Sequence, residues 1–181
     1  MSEEETWITA AKKNVSDFEP LYRRYHEKIF RFIYNRVSDE DLAYDTTSEV
    51  FLKAMLKIDK FKFKGLPFSS WLYRIAANTV KDLYKANKTR QIISADTPGL
   101  HLIAESISFE EKEEKEIHIQ WLTESIADLP EEDIQLITMR FFEKRPFKEI
   151  GEILNLTETN AKVRLYRILD KMKKQSKHIH S

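Results

Sequence analysis

Two helical patterns separated by only two residues constrain this chain more than any other feature. Phe147 to Leu154 reads as a short amphipathic helix, with Pro146 placed to serve as its first residue. Asn155-Leu156 forms the turn, and Thr157 caps a long last helix. A connection this short makes the second helix cross the first, which is the layout of a helix-turn-helix. At about 100° per residue, Ala161, Leu165, Ile168, Leu169 and Met172 share one side of the last helix and are expected to pack inward. Thr159, Val163, Tyr166, Arg167 and Asp170 fall opposite, with Lys162 and Arg164 flanking them and Asn160 near the helix start. In a helix-turn-helix the N-terminal residues of this second helix meet base edges, while neighbouring cations clamp phosphates. Arginine and lysine suit guanine, and asparagine suits adenine. Glu158 fits two roles, reading a cytosine amine or complementing the helix dipole. A solvated helix face carries similar charges; the short preceding helix, the tight turn and the threonine cap favour the DNA reading.

The rest of the chain is also patterned for helices. Only 3 glycines and 5 prolines occur in 181 residues, too few for a turn-rich β fold. Phe18, Leu21, Tyr22, Tyr25, Ile29, Phe32 and Ile33 recur at steps of three and four, predicting an amphipathic helix. Ser38-Asp39-Glu40-Asp41 breaks it and caps the next, which runs through Val50, Phe51, Leu52, Met55 and Ile58 to about Lys60. Lys64-Gly65-Leu66-Pro67 predicts a turn. The following helix, capped at Ser69 or Ser70, has Leu72, Ile75, Ala76, Thr79 and Leu83 on its apolar side. Its other face carries Arg74, Lys81, Lys85 and Lys88, with Asn78 and Tyr84 alongside. That strip suits single-stranded DNA, where cations track the backbone and rings or pockets receive unstacked bases. A solvated lysine-rich face is the plainer reading of the same residues, and Trp71 fits the core better than a stacking platform.

Periodicity fades between Gln91 and Ser108, and Asp96-Thr97-Pro98-Gly99 signals a turn. The expected architecture is therefore all-α: two small helical domains, residues 1–90 and 111–181, joined by a flexible linker at 91–110. The second domain holds helices over Glu111–Leu129 and Glu131–Phe142 and then the helix-turn-helix.

The formal net charge of zero hides segregation. Lys53 to Arg90 has ten basic residues against Asp59 and Asp82, and Arg140 to Lys177 has eleven against five acids. Between them, Glu105 to Asp133 has eleven acids against two lysines. Two cationic patches separated by an acidic stretch suit a partner with two polyanionic contacts.

Other classes fare poorly. With no cysteine there is neither a disulfide framework nor a thiolate nucleophile. Five scattered histidines lack ligand spacing and no glycine-rich phosphate loop occurs, so no metal, no cofactor and no enzymatic activity are expected. The acidic start, Met1-Ser2-Glu3-Glu4-Glu5, is not a secretory signal, and no run of about 18 apolar residues exists, predicting a cytoplasmic protein without membrane insertion.

Three strings resemble one family. Asp45-Thr46-Thr47-Ser48-Glu49-Val50-Phe51-Leu52-Lys53 is similar to the core-binding segment of bacterial sigma factors. Phe68-Ser69-Ser70-Trp71-Leu72-Tyr73-Arg74-Ile75-Ala76-Ala77-Asn78, followed by Asp82, resembles their promoter-melting segment. Leu129-Pro130-Glu131, Phe147 to Leu154 and Lys162-Val163-Arg164-Leu165-Tyr166-Arg167 resemble their promoter-recognition domain. The order of the strings and the short linker resemble the extracytoplasmic-function (ECF) class of the sigma-70 family.

That resemblance implies two partners, core RNA polymerase and promoter DNA, and admits a third, an anti-sigma factor. It implies polymerase contacts at or near Asp45, Glu49, Phe51 and Leu52, the last two of which also fit a core. It implies contacts to the melted −10 element from Lys64, Phe68, Arg74, Asn78, Lys81 and Lys85. Thr159, Asn160, Lys162, Val163, Arg164, Tyr166 and Arg167 would meet the −35 duplex, and the acidic linker would run near the RNA path. The chain departs from the usual pattern at Ser48 (commonly Gln), Lys85 (Arg), Gly151 (Ala), Asn155 (Gly) and Asn160-Ala161 (Thr-Val). A conventional helix-turn-helix regulator explains the C-terminal third but leaves the Asp45–Lys53 and Phe68–Asn78 strings without a role. A pure protein adaptor fits the acidic stretch and leaves both cationic patches idle.

Overall fold

The computed structural model describes residues 1–87, 93–107 and 115–179. The described residues form helices and connecting turns with no strand, divided into two compact units, Met1–Ala86 and Asn87–Ser181. Lys88 and Arg90 of the first cationic patch, and Glu110 to Glu114 of the acidic stretch, lie outside the described residues.

The first unit contains α1 (Glu3–Lys13), a 3₁₀ turn (Val15–Phe18), α2 (Glu19–Val37), α3 (Glu40–Lys57), a second 3₁₀ turn (Ile58–Lys60) and α4 (Phe68–Asn87). Helix α1 has no counterpart among the helices expected from sequence, where these residues show only as an acidic start. Its signal is a capping box: the Glu5 N–H donates to Ser2 Oγ at 3.2 Å and the Ser2 N–H to Glu5 Oε2 at 2.7 Å. Ile8 and Ala11 bury its inner face, and Tyr25 of α2 donates its hydroxyl to Glu4.

A sharp reversal joins α2 to α3. Ser38 takes the left-handed conformation (φ 52°), its N–H closing on Tyr34 C=O at 2.8 Å, and Asp39 caps α3 by accepting from the Leu42 N–H at 2.8 Å. The core between these helices and α4 is aromatic, with Phe18, Phe32, Phe51, Phe68 and Tyr73 all at most 2% exposed. Each ring removed from water stabilises the fold by about 1.5–3 kcal/mol. Arg36 is fully buried at the end of α2; its carbonyl accepts from the Tyr84 hydroxyl and its guanidinium lies 6.0 Å from that ring. Tyr84, read from sequence as flanking the cationic strip, instead ties α4 to α2.

The second unit contains α5 (Leu100–Ile107), α6 (Lys115–Ala127), α7 (Glu131–Ile137) continuing into a π turn (Thr138–Phe142), α8 (Phe147–Leu154) and α9 (Glu158–Ile179). Helix α5 sits inside the stretch expected to be linker. Leu100, Ile103 and Ile107 are buried, and the helix packs against α6 and α9. Its apolar spacing is helical, but eight residues wedged between a turn and a charge run give too short a window for periodicity to stand out. Gly99 makes the entry possible. At φ 95° it lies against Phe141, whose carbonyl oxygen would be 2.3 Å from any added Cβ. Leu122, Ile126, Ile134, Ile137, Met139, Ile150, Ile153 and Leu165 complete this core.

Candidate DNA and polymerase interfaces

The turn before α9 is built from backbone bonds. Pro146 stands one position earlier than expected, as the extended N-cap of α8 (φ −68°, ψ 152°). At the other end Asn155 is left-handed (φ 57°, ψ 47°), and the Leu156 N–H donates to Gly151 C=O at 2.8 Å, satisfying a terminal carbonyl. Thr157 then starts α9, its Oγ1 accepting from the Asn160 N–H at 3.0 Å. Gly151 is required by contact. A Cβ there would lie 2.6 Å from Leu156 O, so the alanine common in the family does not fit this turn as it stands.

Ala161, Leu165, Ile168, Leu169 and Met172 are all buried, as their spacing predicts. Thr159, Asn160, Lys162, Val163, Tyr166 and Arg167 are exposed, with Val163 at 42% and Tyr166 at 56%. Arg164 differs from them. It is only partly exposed, and its Nε donates to Asp133 Oδ1 of α7 at 2.6 Å. The pair fixes the guanidinium's root. Other C-terminal cations are structural: Arg145 pairs with Glu149 at 3.0 Å, and Arg140 lies over the Phe147 ring at 4.5 Å.

On α4, the face away from the core carries Arg74, Asn78, Lys81 and Lys85, with Asp82 at its margin. Asn78 and Lys85 are exposed, whereas Arg74 and Lys81 are half-buried. Lys64 is exposed in the loop before α4, where Gly65 turns at φ 73°. Phe68 requires correction. Expected against the melted strand, it is 0% exposed and packs on Phe61 (5.1 Å), Trp71 (5.4 Å) and Tyr25 (5.8 Å). Its position at the first turn of α4 points it down onto α2. The aromatic that the loop does expose is Phe63, at 47%, between Lys62 and Lys64. Sequence reasoning passed over it, although an aromatic flanked by two lysines next to a turn was signal enough.

One stripe of α3 exposes Asp45, Ser48, Glu49, Leu52 (52%) and Leu56 (74%), residues spaced three and four apart opposite the buried Val50 and Ala54. Of the two roles open to Phe51, the structure gives the core one, and its expected place on the polymerase-contact surface is corrected. At 2% exposure it is core, its ring 4.9 Å from Tyr22 and 6.4 Å from Phe18, so it backs the stripe without forming its surface. Leu56 was missed because a second apolar residue beside Met55 reads as more core. Glu49 pairs with Lys53 at 2.6 Å, and Lys53 Nζ donates to Thr79 Oγ1 of α4 at 3.2 Å. The stripe is thus connected by polar contacts to the helix that carries Asn78.

Among the described residues no group of histidines and carboxylates could hold a metal ion, and no helix is long and apolar enough to cross a membrane. Comparison with known proteins gives the family. Residues 21–90 match Sigma-70 region 2, and residues 119–172 match Sigma-70, region 4. The ECF RNA polymerase sigma factor BldN of Streptomyces coelicolor is 30% identical over 83% of this chain, which spans 56% of that protein's length. The ECF RNA polymerase sigma-E factor of Haemophilus influenzae is 30% identical over 83% of this chain and 82% of its own. Among solved structures, CnrH in complex with the cytosolic domain of CnrY has a similar fold, with a TM-score of 0.60 at 16% identity over 94% of this chain and 96% of that one. The chain belongs to the ECF class of the sigma-70 family, the non-enzymatic factors that bind core RNA polymerase and promoter DNA and direct promoter-specific transcription initiation.

Proposed function

We propose that the three surfaces divide the work of initiation. The α3 stripe of Asp45, Glu49, Leu52 and Leu56 docks on core polymerase, since two largely exposed leucines flanked by carboxylates suit an apolar partner with a basic rim. Helix α9 enters the major groove of the −35 duplex, with Thr159, Asn160, Lys162 and Val163 nearest the bases. Tyr166, Arg167 and Arg164 lie further along α9 and meet phosphates, Arg164 held in place by Asp133. Arg74, Lys81 and Lys85 track the melted −10 strand, while Asn78 and the loop carrying Phe63 and Lys64 receive an unstacked base. Extruding a base costs a few kcal/mol, so a fixed pocket beside fixed cations is needed to offset it.

The observation that carries this reading is that α4 and α9 each bury their apolar stripe and expose a cationic one, in separate units of one chain. The protein acts in the cytoplasm, where polymerase is found. A protein inhibitor covering Leu52 and Leu56 would block the polymerase contact; the similar fold of CnrH was solved bound to the cytosolic domain of CnrY. The test is competition between this chain and a housekeeping sigma factor for purified core polymerase. Stoichiometric displacement is the expected result. Failure of well-folded protein to bind, together with salt-dependent duplex binding by the free chain, would reassign it as a conventional regulator.

A further inference from the structure

Helix α1 lies before the residues that match region 2, and none of the surfaces above uses it. It nevertheless reaches the loop that leads into α4. Lys12 in its last turn is partly buried, and Nζ donates to the Phe61 carbonyl at 2.6 Å while standing 5.8 Å from the centre of the Phe61 ring. Phe61 is where the chain leaves the second 3₁₀ turn and becomes extended (φ −65°, ψ 130°), so it is the fixed root of the segment that carries Lys62, Phe63 and Lys64. Its ring is 5% exposed and anchored on Phe68 and Trp71, and it meets Phe63 edge-on at 5.0 Å. From Lys62 to Pro67 the loop is otherwise mostly exposed, with Gly65 at positive φ, so its placement depends on how its root is held.

We infer that Lys12 is a positioning residue for promoter opening: by holding the Phe61 carbonyl it aims the Phe63–Lys64 loop at the extruded −10 base. The inference rests on the −10 assignment proposed above. A carbonyl that accepts from an ammonium is held by a charge-assisted bond, roughly twice as strong as a neutral one. The bond also fixes the peptide plane from which Lys62 and Phe63 project. Without it the ring of Phe61 stays buried but its carbonyl is free to rotate, and the loop loses its set angle. The fold is kept because Ile8 and Ala11 still bury α1 and Glu4 still accepts from Tyr25.

The test uses holoenzyme reconstituted with full-length protein and a pool of promoter templates randomised across the −10 element, each carrying in its transcribed region a barcode that identifies its −10 sequence, read by sequencing the transcripts. Wild type, Lys12→Met, Lys12→Arg and Asn78→Ala are compared, each checked for thermal midpoint and for core binding. Lys12→Met should lower base preference at one −10 position by about tenfold, the size expected when a charged hydrogen bond is lost, with core binding intact. Lys12→Arg, which restores the donor, should recover most of it. An unchanged −10 preference in Lys12→Met, with a flattened one in Asn78→Ala, would overturn this inference alone. An equal drop on every template without any change in preference, or no recovery by Lys12→Arg, would reduce Lys12 to a stabilising contact and overturn it too. If Asn78→Ala also left the preference untouched, the −10 assignment itself would fall.

Discussion

Replacing Gly151 with alanine sets two effects of opposite sign against each other at the turn that aims the recognition helix. Alanine is favoured over glycine inside a helix by about 1 kcal/mol, and this alone would stabilise α8. The new Cβ, however, would stand 2.6 Å from Leu156 O and 3.3 Å from the Glu158 N, where ordinary contacts begin at 3.4 Å. Relief requires moving the Leu156 carbonyl outward by about 0.8 Å, the shortfall between those contact distances. The obstructing atom is backbone, locked by the Leu156 N–H bond to Gly151 and by the Thr157 cap, so the cost belongs at the upper end of the about 1–3 kcal/mol typical of overpacking. The balance is a net loss of about 1–2 kcal/mol, which lowers the melting midpoint of a domain this size by about 5–10 °C. A shift of that size at the start of α9 also takes hydrogen bonds to base edges beyond about 3.2 Å, so one base contact and about tenfold in −35 affinity should be lost. Calorimetry reports the first quantity and fluorescence anisotropy with a −35 duplex the second. Glu152→Ala, at an exposed neighbouring position, controls for the loss of helix-surface contacts. A Gly151→Ala protein that melts at or above the wild-type temperature, with unchanged affinity, would refute the reasoning. It would mean that the turn yields at little cost and propensity decides.

Arg167→Ala should weaken −35 binding uniformly across sequences and reduce the salt slope by roughly one unit, since an exposed cation contributes one phosphate contact. Asp133→Ala should lower affinity several-fold at unchanged slope, because it frees Arg164 without removing its charge; a steeper loss at high salt would argue against a positioning role for Asp133. Leu56→Asp, at a residue 74% exposed, should leave the thermal midpoint alone and cost at least tenfold in competition for core polymerase, whereas Phe51→Ala should destabilise the first unit by about 3–5 kcal/mol. Asn78→Ala should spare closed-complex formation and impair opening in permanganate footprinting, while Phe68→Ala should fail in both through loss of fold.

Much of this protein was legible because helices write their faces into sequence at three- and four-residue steps. The inward side of α9 came out residue for residue, and of the cationic face of α4 the described Arg74, Asn78, Lys81 and Lys85 lie away from the core, whereas Tyr84 does not. The failures share a cause. Phe68 closes the loop that carries the exposed Lys64, and Phe51, for which a core role was also open, stands beside the exposed Leu52, so adjacency in sequence does not give adjacency on a surface. A helix turns successive residues about 100° apart, so the neighbour of a contact residue is commonly core. Leu56 and Phe63 were missed for the converse reason: an apolar residue reads as buried until a neighbouring element is shown not to cover it.

Composition, periodicity and capping residues alone determined that the chain is helical, that it holds two units, and that cationic faces lie on α4 and α9. These are local properties, governed by each segment's own backbone bonds and the partition of its side chains between water and core. Tertiary structure decided what two of the cations do: Arg164 is tied to Asp133, and Lys12 to the carbonyl of Phe61. Those partners are 31 and 49 residues away. The long-range pairings depend on how helices cross, which is set by packing between side chains far apart in sequence, and no local window of the chain carries that information.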